Sequence, residues 1–351
     1  MALPVNPLRG NADMAYPALL DRRGRLALLF SLFCALPASA QDNRVVPAEI
    51  TARPIVDFRI GSTETRFGDL EFVGGLELRS KNNDFGGLSA FRYLDSGKAF
   101  LGITDTGFWY AGEMQRDAKG LPVSVTDFRL APIQSADGTA VEGKSNSDAE
   151  GMAVSGKTVT VTFERVHRIA EYDLDLKNFA SRPKELPLPV PRNELRNNRG
   201  FETIAYAPAS SSLKGARVAV TEKSINKAGD IFAAVLEGPQ KGLFYVKRLD
   251  SFDISDGDFL PNGDLLLLER RFSLSSGITL RIRRIAAADI KPGATVDGPA
   301  IFAADMRYQI DNMEGLDVWQ ANDGSTRISL MSDDNNSILQ RNLYLEFRLA
   351  E

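Results

Sequence analysis

Residues 312–336 read NMEGLDVWQANDGSTRISLMSDDNN, and this stretch decides the fold once it is compared with the rest of the chain. It holds an acid–glycine–apolar triplet (Glu314, Gly315, Leu316), a hairpin-type Asn322-Asp323-Gly324 turn and an apolar run that stops at Asp333-Asp334. Alone it predicts two antiparallel strands joined by a tight turn. The same arrangement recurs upstream. Its openings are Phe85-Gly86-Gly87-Leu88, Asp148-Ala149-Glu150-Gly151-Met152, Gly200-Phe201-Glu202-Thr203-Ile204 and Asp256-Gly257-Asp258-Phe259. The runs that follow them are FLGITDTG (100–107), TVTVTFERVH (158–167), RVAVTEKS (217–224) and DLLLLERR (264–271). Aligned on Leu88, Met152, Ile204, Phe259 and Leu316, the repeats are spaced by 64, 52, 55 and 57 residues.

Short strands that recur in groups at such a period, with no long periodic helix between them, predict the four-stranded blades of an all-β propeller. Five repeats are readable. Residues 41–84 add strand-like runs (PIVDFRI and DLEFVGGLELR), and the chain ends in NLYLEFRLA. The N-terminal strand either closes the ring as the outer strand of the last blade or helps to build a sixth blade. Pro183 to Arg199 reads as a long inter-blade loop, so residues 41–351 are expected to form one domain.

The first forty residues carry the pattern of a cleavable secretory signal. Arg22-Arg23-Gly24-Arg25 precedes an apolar run from Leu26 to Leu36, and Ala38-Ser39-Ala40 supplies a small-residue cleavage site. The run is too short for a membrane span. The paired arginines also fit a twin-arginine signal. A periplasmic or secreted protein is expected. The single cysteine, Cys34, lies inside this leader, so a mature chain would have none, which excludes disulfides, zinc–thiolate sites and cysteine nucleophiles. Cleavage removes four arginines (Arg9, Arg22, Arg23, Arg25) and two aspartates (Asp13, Asp21), taking the net charge from −4 to −6. An acidic exported chain argues for cations and against nucleic acid as partners.

In a propeller the innermost strand of every blade lines one axis, so a residue type repeated at equivalent positions becomes a ring. The repeated type here is carboxylate: Glu150, Glu202, Asp256 or Asp258, and Glu314 where the first strand starts, and Asp105, Glu164, Glu222, Glu269 and Asp333 where the second ends. Crowded carboxylates require cations, basic neighbours or protons. Oxygen donors without histidine or cysteine favour Ca2+ or Mg2+. Basic residues are adjacent in sequence (Arg165, Arg199, Lys223, Arg270, Arg271), and with a cation they can clamp phosphate oxygens. His167 is the only histidine and reads as a surface residue. One histidine cannot supply a histidine-nucleophile phosphatase or a multi-histidine metal phosphatase. No G-x-S-x-G elbow is present either.

The ordered motifs FGGLSAF (85–91), ITDTGFWY (103–110), SDAEGMAV (147–154), RGFETIAY (199–206), AVTEKS (219–224), NMEGLDV (312–318) and LMSDDN (330–335) resemble the "esterase-like activity of phytase", or phytase-like, family of exported bacterial propellers. This resemblance implies six blades, axial carboxylates that hold calcium, and metal-assisted hydrolysis of a phosphoric ester; a small-molecule ester substrate and a monomeric chain are expected. It implies Glu150, Glu202, Glu314 and Asp333 as metal ligands and Glu222 and Glu269 as catalytic carboxylates. Lys223, Arg270 and Arg165 would then bind substrate. The Asp-Asp-Pro-Ala motif of the true propeller phytases is absent, which leaves phytate outside the expectation. A lactonase-type propeller with one divalent cation, drawing on Asn335 and Asn336, and a non-catalytic scaffold propeller are the competing readings.

Overall fold

The computed structural model describes residues 44–275 and 277–350. The expected leader, residues 1–40, therefore lies outside the described residues. The described residues form one compact unit.

Five sheets follow one another along the chain, antiparallel except where Thr295–Val296 pairs in parallel with Gly242–Val246. Their inner strands are Leu88–Tyr93, Ala149–Ser155, Phe201–Tyr206, Asp253–Phe259 and Asn312–Gln320, taken here as blades 1 to 5. Each inner strand touches the next, and that of blade 5 touches that of blade 1, so the ring closes with five blades. The six blades implied by the resemblance are corrected to five. The reason lies in residues 46–80, which supply no inner strand. Leu70–Ser80 pairs with Asn342–Leu349 as the fourth strand of blade 5, in register from Leu78↔Asn342 to Leu70↔Leu349. Ile50–Ile55 extends that sheet outward. N-terminal and C-terminal strands thus share one blade, and the ring is closed by the N-terminal strand. The segment expected to be only a loop after Pro183 also contributes Lys184–Leu186, the outer strand of blade 2.

The core is divided in the same way. A separate hydrophobic cluster fills each gap between neighbouring blades. The second strand of blade 4 explains why its sequence reads as an unbroken apolar run. Leu265 and Leu267 pack toward blade 3 beside Val218 and Val220, while Leu266 and Leu268 pack toward blade 5 beside Leu316 and Leu330. A strand buried on both faces has no polar alternation to show. No helix among the described residues is long and apolar enough to cross a membrane.

Candidate metal centre

Every inner strand carries a register irregularity against its second strand, at or near its start. The residues just before it are Leu88, Ala149, Phe201, Ile254 and Met313, paired with Thr104, Phe163, Thr221, Glu269 and Ser332. The extra residue that follows is Ser89, Glu150, Glu202, Ser255 and Glu314 in turn. A bulge lifts one residue out of the ladder and re-aims its side chain. The acids of blades 2, 3 and 5 lie near enough to repel one another, Glu150 facing the charges of both Glu202 and Glu314. One step beyond the paired residue, the second strands present Asp105, Glu164, Glu222, Arg270 and Asp333 at the same end of the axis.

This register corrects two sequence expectations. Blade 4 places Ser255, not Asp256 or Asp258, at the bulge. Asp256 instead pairs across the axis with Arg92 of blade 1, Nη1 to Oδ2 at 2.9 Å. The same guanidinium donates to the carbonyls of Phe91 and Leu316, both at 2.7 Å. Asp258 and Asp317 accept backbone N–H groups from Val318 and Tyr93. Glu269 likewise sits one residue short of the ring. It is buried between sheets, bound by Arg281 and by Arg283, whose Nε lies 2.8 Å from Oε1. Arg270 occupies the ring position.

Around the ring, some acids are neutralised and others are not. Arg270 Nη1 lies 2.6 Å from Glu314 Oε1 and also donates to Asn312, with Nη2 at 3.8 Å from Glu222 Oε1. Arg199 holds the other oxygen of Glu222 at 2.8 Å. Lys144 bridges Asp105 and Asp148, the latter at 2.7 Å, and Arg165 Nε reaches Asp148 Oδ2 at 2.8 Å. Glu150, Glu164, Glu202 and Asp333 have no Arg or Lys partner among the described residues. Burial, then the Glu314 carboxylate, pushes Glu150 far up, and burial, then Glu150, does the same to Glu202. Burial and the charge of Glu222 raise Glu164 to about 7. Burial and the charge of Glu314 raise Asp333 to about 8.

Carboxylate oxygens of Asp148, Glu150 and Glu164 all lie within 4.8 Å of one another, as do those of Glu164, Glu202 and Glu222. Glu164 belongs to both groups. Its Oε1 also accepts the backbone N–H of Gly200, which fixes its orientation. These clusters can hold a metal ion, and the donor set suits a hard cation. Glu164 and Glu202 are buried and Glu150 is half-buried, none of them in an ion pair among the described residues, and a cation would supply positive charge to all three. The structure therefore gathers the predicted Glu150, Glu202, Glu222 and Glu314, with Asp333 beside Glu314, and adds Asp148 and Glu164 as donors. His167 is buried rather than at the surface, with Nδ1 unpartnered beside Gly200, and burial lowers its pKa so that it stays neutral.

The predicted substrate residues separate. Lys223 and Arg270 line one cleft of about 1010 Å3 with Glu222, Arg248, Arg271 and Asn312. Arg165 is not among its walls. Lys223 Nζ and Arg248 Nη2 both bind Asp253, at 2.9 and 2.7 Å.

Two expected outcomes follow from this packing. A Cβ on Gly151 would lie 2.4 Å from the carbonyl oxygen of Glu202 and 2.8 Å from Thr162 Oγ1. Gly151→Ala should therefore force the inner strands of blades 2 and 3 apart, lowering stability by about 1–3 kcal/mol. It should also weaken cation binding, both read from melting curves with and without calcium. The second outcome concerns pH. Glu164 near 7 and Asp333 near 8 keep protons that the unfolded chain has lost above its ordinary carboxylate range. Unfolding then releases protons, so cation-free stability should fall between about pH 5 and pH 8. Calcium requires the ionised carboxylates, so a melting-temperature series in calcium should cancel or reverse that slope.

The chain belongs to the phytase-like family described as "esterase-like activity of phytase", whose profile matches residues 83–336. Among solved structures it is similar to the PQQ-bound aldose sugar dehydrogenase of Streptomyces coelicolor, with 12% identity and a TM-score of 0.41 over 86% of this chain and 99% of that one. It is also similar to the Myxococcus xanthus glutaminyl cyclase, with 13% identity and a TM-score of 0.39 over 76% and 92%. Likeness this distant carries no information on chemistry. No curated protein matches the chain.

Proposed function

We propose that this member of the phytase-like family is an exported, calcium- or magnesium-dependent hydrolase of small phosphoric esters. Residues 1–40 would be removed as a signal, and the remaining propeller would act as a monomer. The observation that supports it best is the juxtaposition of Glu150, Glu164 and Glu202, none of them in an ion pair among the described residues, and a cleft that Lys223, Arg248, Arg270 and Arg271 help to line. Asp148, Glu150, Glu164, Glu202 and Glu222 would hold the cation, with Glu314 and Asp333 next to them. When bound, a divalent cation supplies Lewis-acid polarisation of the phosphoryl oxygen.

The chain's own residues would do the rest. Lys223 and Arg270 meet the phosphate oxygens through charge-assisted hydrogen bonds. Glu222 lies between ring and cleft, held by Arg199, where it can orient water and accept its proton. Arg270 is committed to Glu314 and Asn312 without a cation. Once the acids are neutralised it is free to turn toward substrate. Glu269 is left out of the chemistry, since Arg281 and Arg283 occupy both its oxygens.

The lactonase reading is weaker. Asn335 gives its side-chain amide to Gln340 at 3.2 Å rather than to the ring. Assays of the calcium-loaded protein on phosphomonoesters, lactones and carboxylic esters separate the readings. Phosphomonoester hydrolysis abolished by chelation is the expected result. Turnover confined to lactones or carboxylic esters would replace it with the lactonase reading, and no turnover with the cation bound would leave the scaffold.

A further inference from the structure

The cleft beside the ring has a feature that the charge argument does not use. Lys223 and Arg248 are both paired with Asp253, and Arg270 with Glu314. Arg271 is the basic wall residue with no carboxylate partner among the described residues. Its Nη1 donates to the carbonyl of Asp250 at 3.1 Å, its guanidinium lies 4.8 Å from the Phe252 ring centroid, and its Nε is buried without a partner. Beside it Phe272 also lines the cleft, yet 70% of its surface is exposed. Leu274, two residues on in the same hairpin, is 98% exposed. A large aromatic side chain left in water next to a guanidinium without a carboxylate partner forms an amphipathic lip on the cleft.

We propose that this lip selects the substrate: an oxyanion ester whose alcohol part is apolar or aromatic, its anion anchored by Arg271 and its apolar part covered by Phe272. A polyol phosphate would leave the Phe272 ring wet, whereas an aryl group would remove it from water and stack on it. The inference deepens the phosphoester reading above, on which it rests for the choice of phosphorus oxyanion. It does not require turnover.

The test is calorimetric binding of two non-hydrolysable probes, phenylphosphonate and methylphosphonate, to the calcium-loaded full chain. Phenylphosphonate is expected to bind about tenfold more tightly, and Phe272→Ala to erase that preference while leaving methylphosphonate unchanged. Arg271→Gln is expected to weaken both probes by about tenfold or more. Both substitutions are at partly or largely exposed positions, and an unchanged melting temperature checks that the variants fold. Equal affinities for the two probes, a preference that survives Phe272→Ala, or no loss in Arg271→Gln overturns the proposal. So does failure of either probe to bind, even if the protein hydrolyses glycerol phosphate. Aryl preference in binding with no hydrolysis of any phosphoester would instead overturn the catalytic reading and uphold this one.

Discussion

Glu269→Ala is expected to lower the stability of the folded chain by about 3–5 kcal/mol while leaving calcium binding intact. Glu269 is 2% exposed and receives Arg281 and Arg283, themselves 8% and 1% exposed. Removing the carboxylate strands two guanidinium groups between sheets. Their remaining acidic partners are Asp250 at 3.1 Å from Arg281 and Asp297 at 2.8 Å from Arg283, with side chains at least half in water, beside the carbonyls of Leu249 and Lys247. Breaking a buried ion pair from one side is costly because the partner charge stays behind. Urea unfolding with and without calcium measures the effect. A loss below about 1 kcal/mol together with lost calcium binding would return Glu269 to the ring.

Glu164→Gln is expected to have the opposite signature. The amide oxygen can keep the hydrogen bond from Gly200, and the variant loses one of several crowded charges. Without cations it should be as stable as the parent or more so above about pH 6, because the repulsion that raises Glu164, Glu202 and Glu150 is relieved. With cations it should lose the calcium-dependent rise in melting temperature. Affinity should fall by more than the roughly 10–100-fold typical of outer-shell partners, since Glu164 belongs to both carboxylate groups. Any calcium-dependent hydrolysis should fall with it. Full calcium stabilisation in the variant would remove Glu164 from the site.

The contrast between these two glutamates shows what sequence can and cannot carry. The repeat itself was legible, because hairpin turns such as Asn322-Asp323-Gly324 and the runs after them do not depend on distant partners. Closure by the N-terminal strand was legible as one of two alternatives. The number of blades was not settled by the resemblance, although five readable repeats match the five inner strands. Which acid faces the axis was harder. A one-residue slip reverses a strand's faces, and Glu269 and Arg270 differ by that slip. Only the pairing of Ile254 with Glu269 resolves it. Asp256 and Arg92 were equally opaque, being 164 residues apart and brought together by the ring. Glu164 was visible as a strand-end acid, but its place in both clusters depends on Gly200 and the bulges of blades 2 and 3. Asp148 stood inside a quoted motif without being counted among the ring acids.

Glu150, Glu164, Glu202 and Asp333 form no ion pair among the described residues, and a divalent cation would supply the positive charge they share. Calorimetric titration of the chelator-stripped protein with calcium tests it most directly, run beside Glu164→Gln. Saturable binding at about micromolar affinity that is lost in the variant is the expected result. No binding by the parent, or binding unchanged in Glu164→Gln, would contradict it.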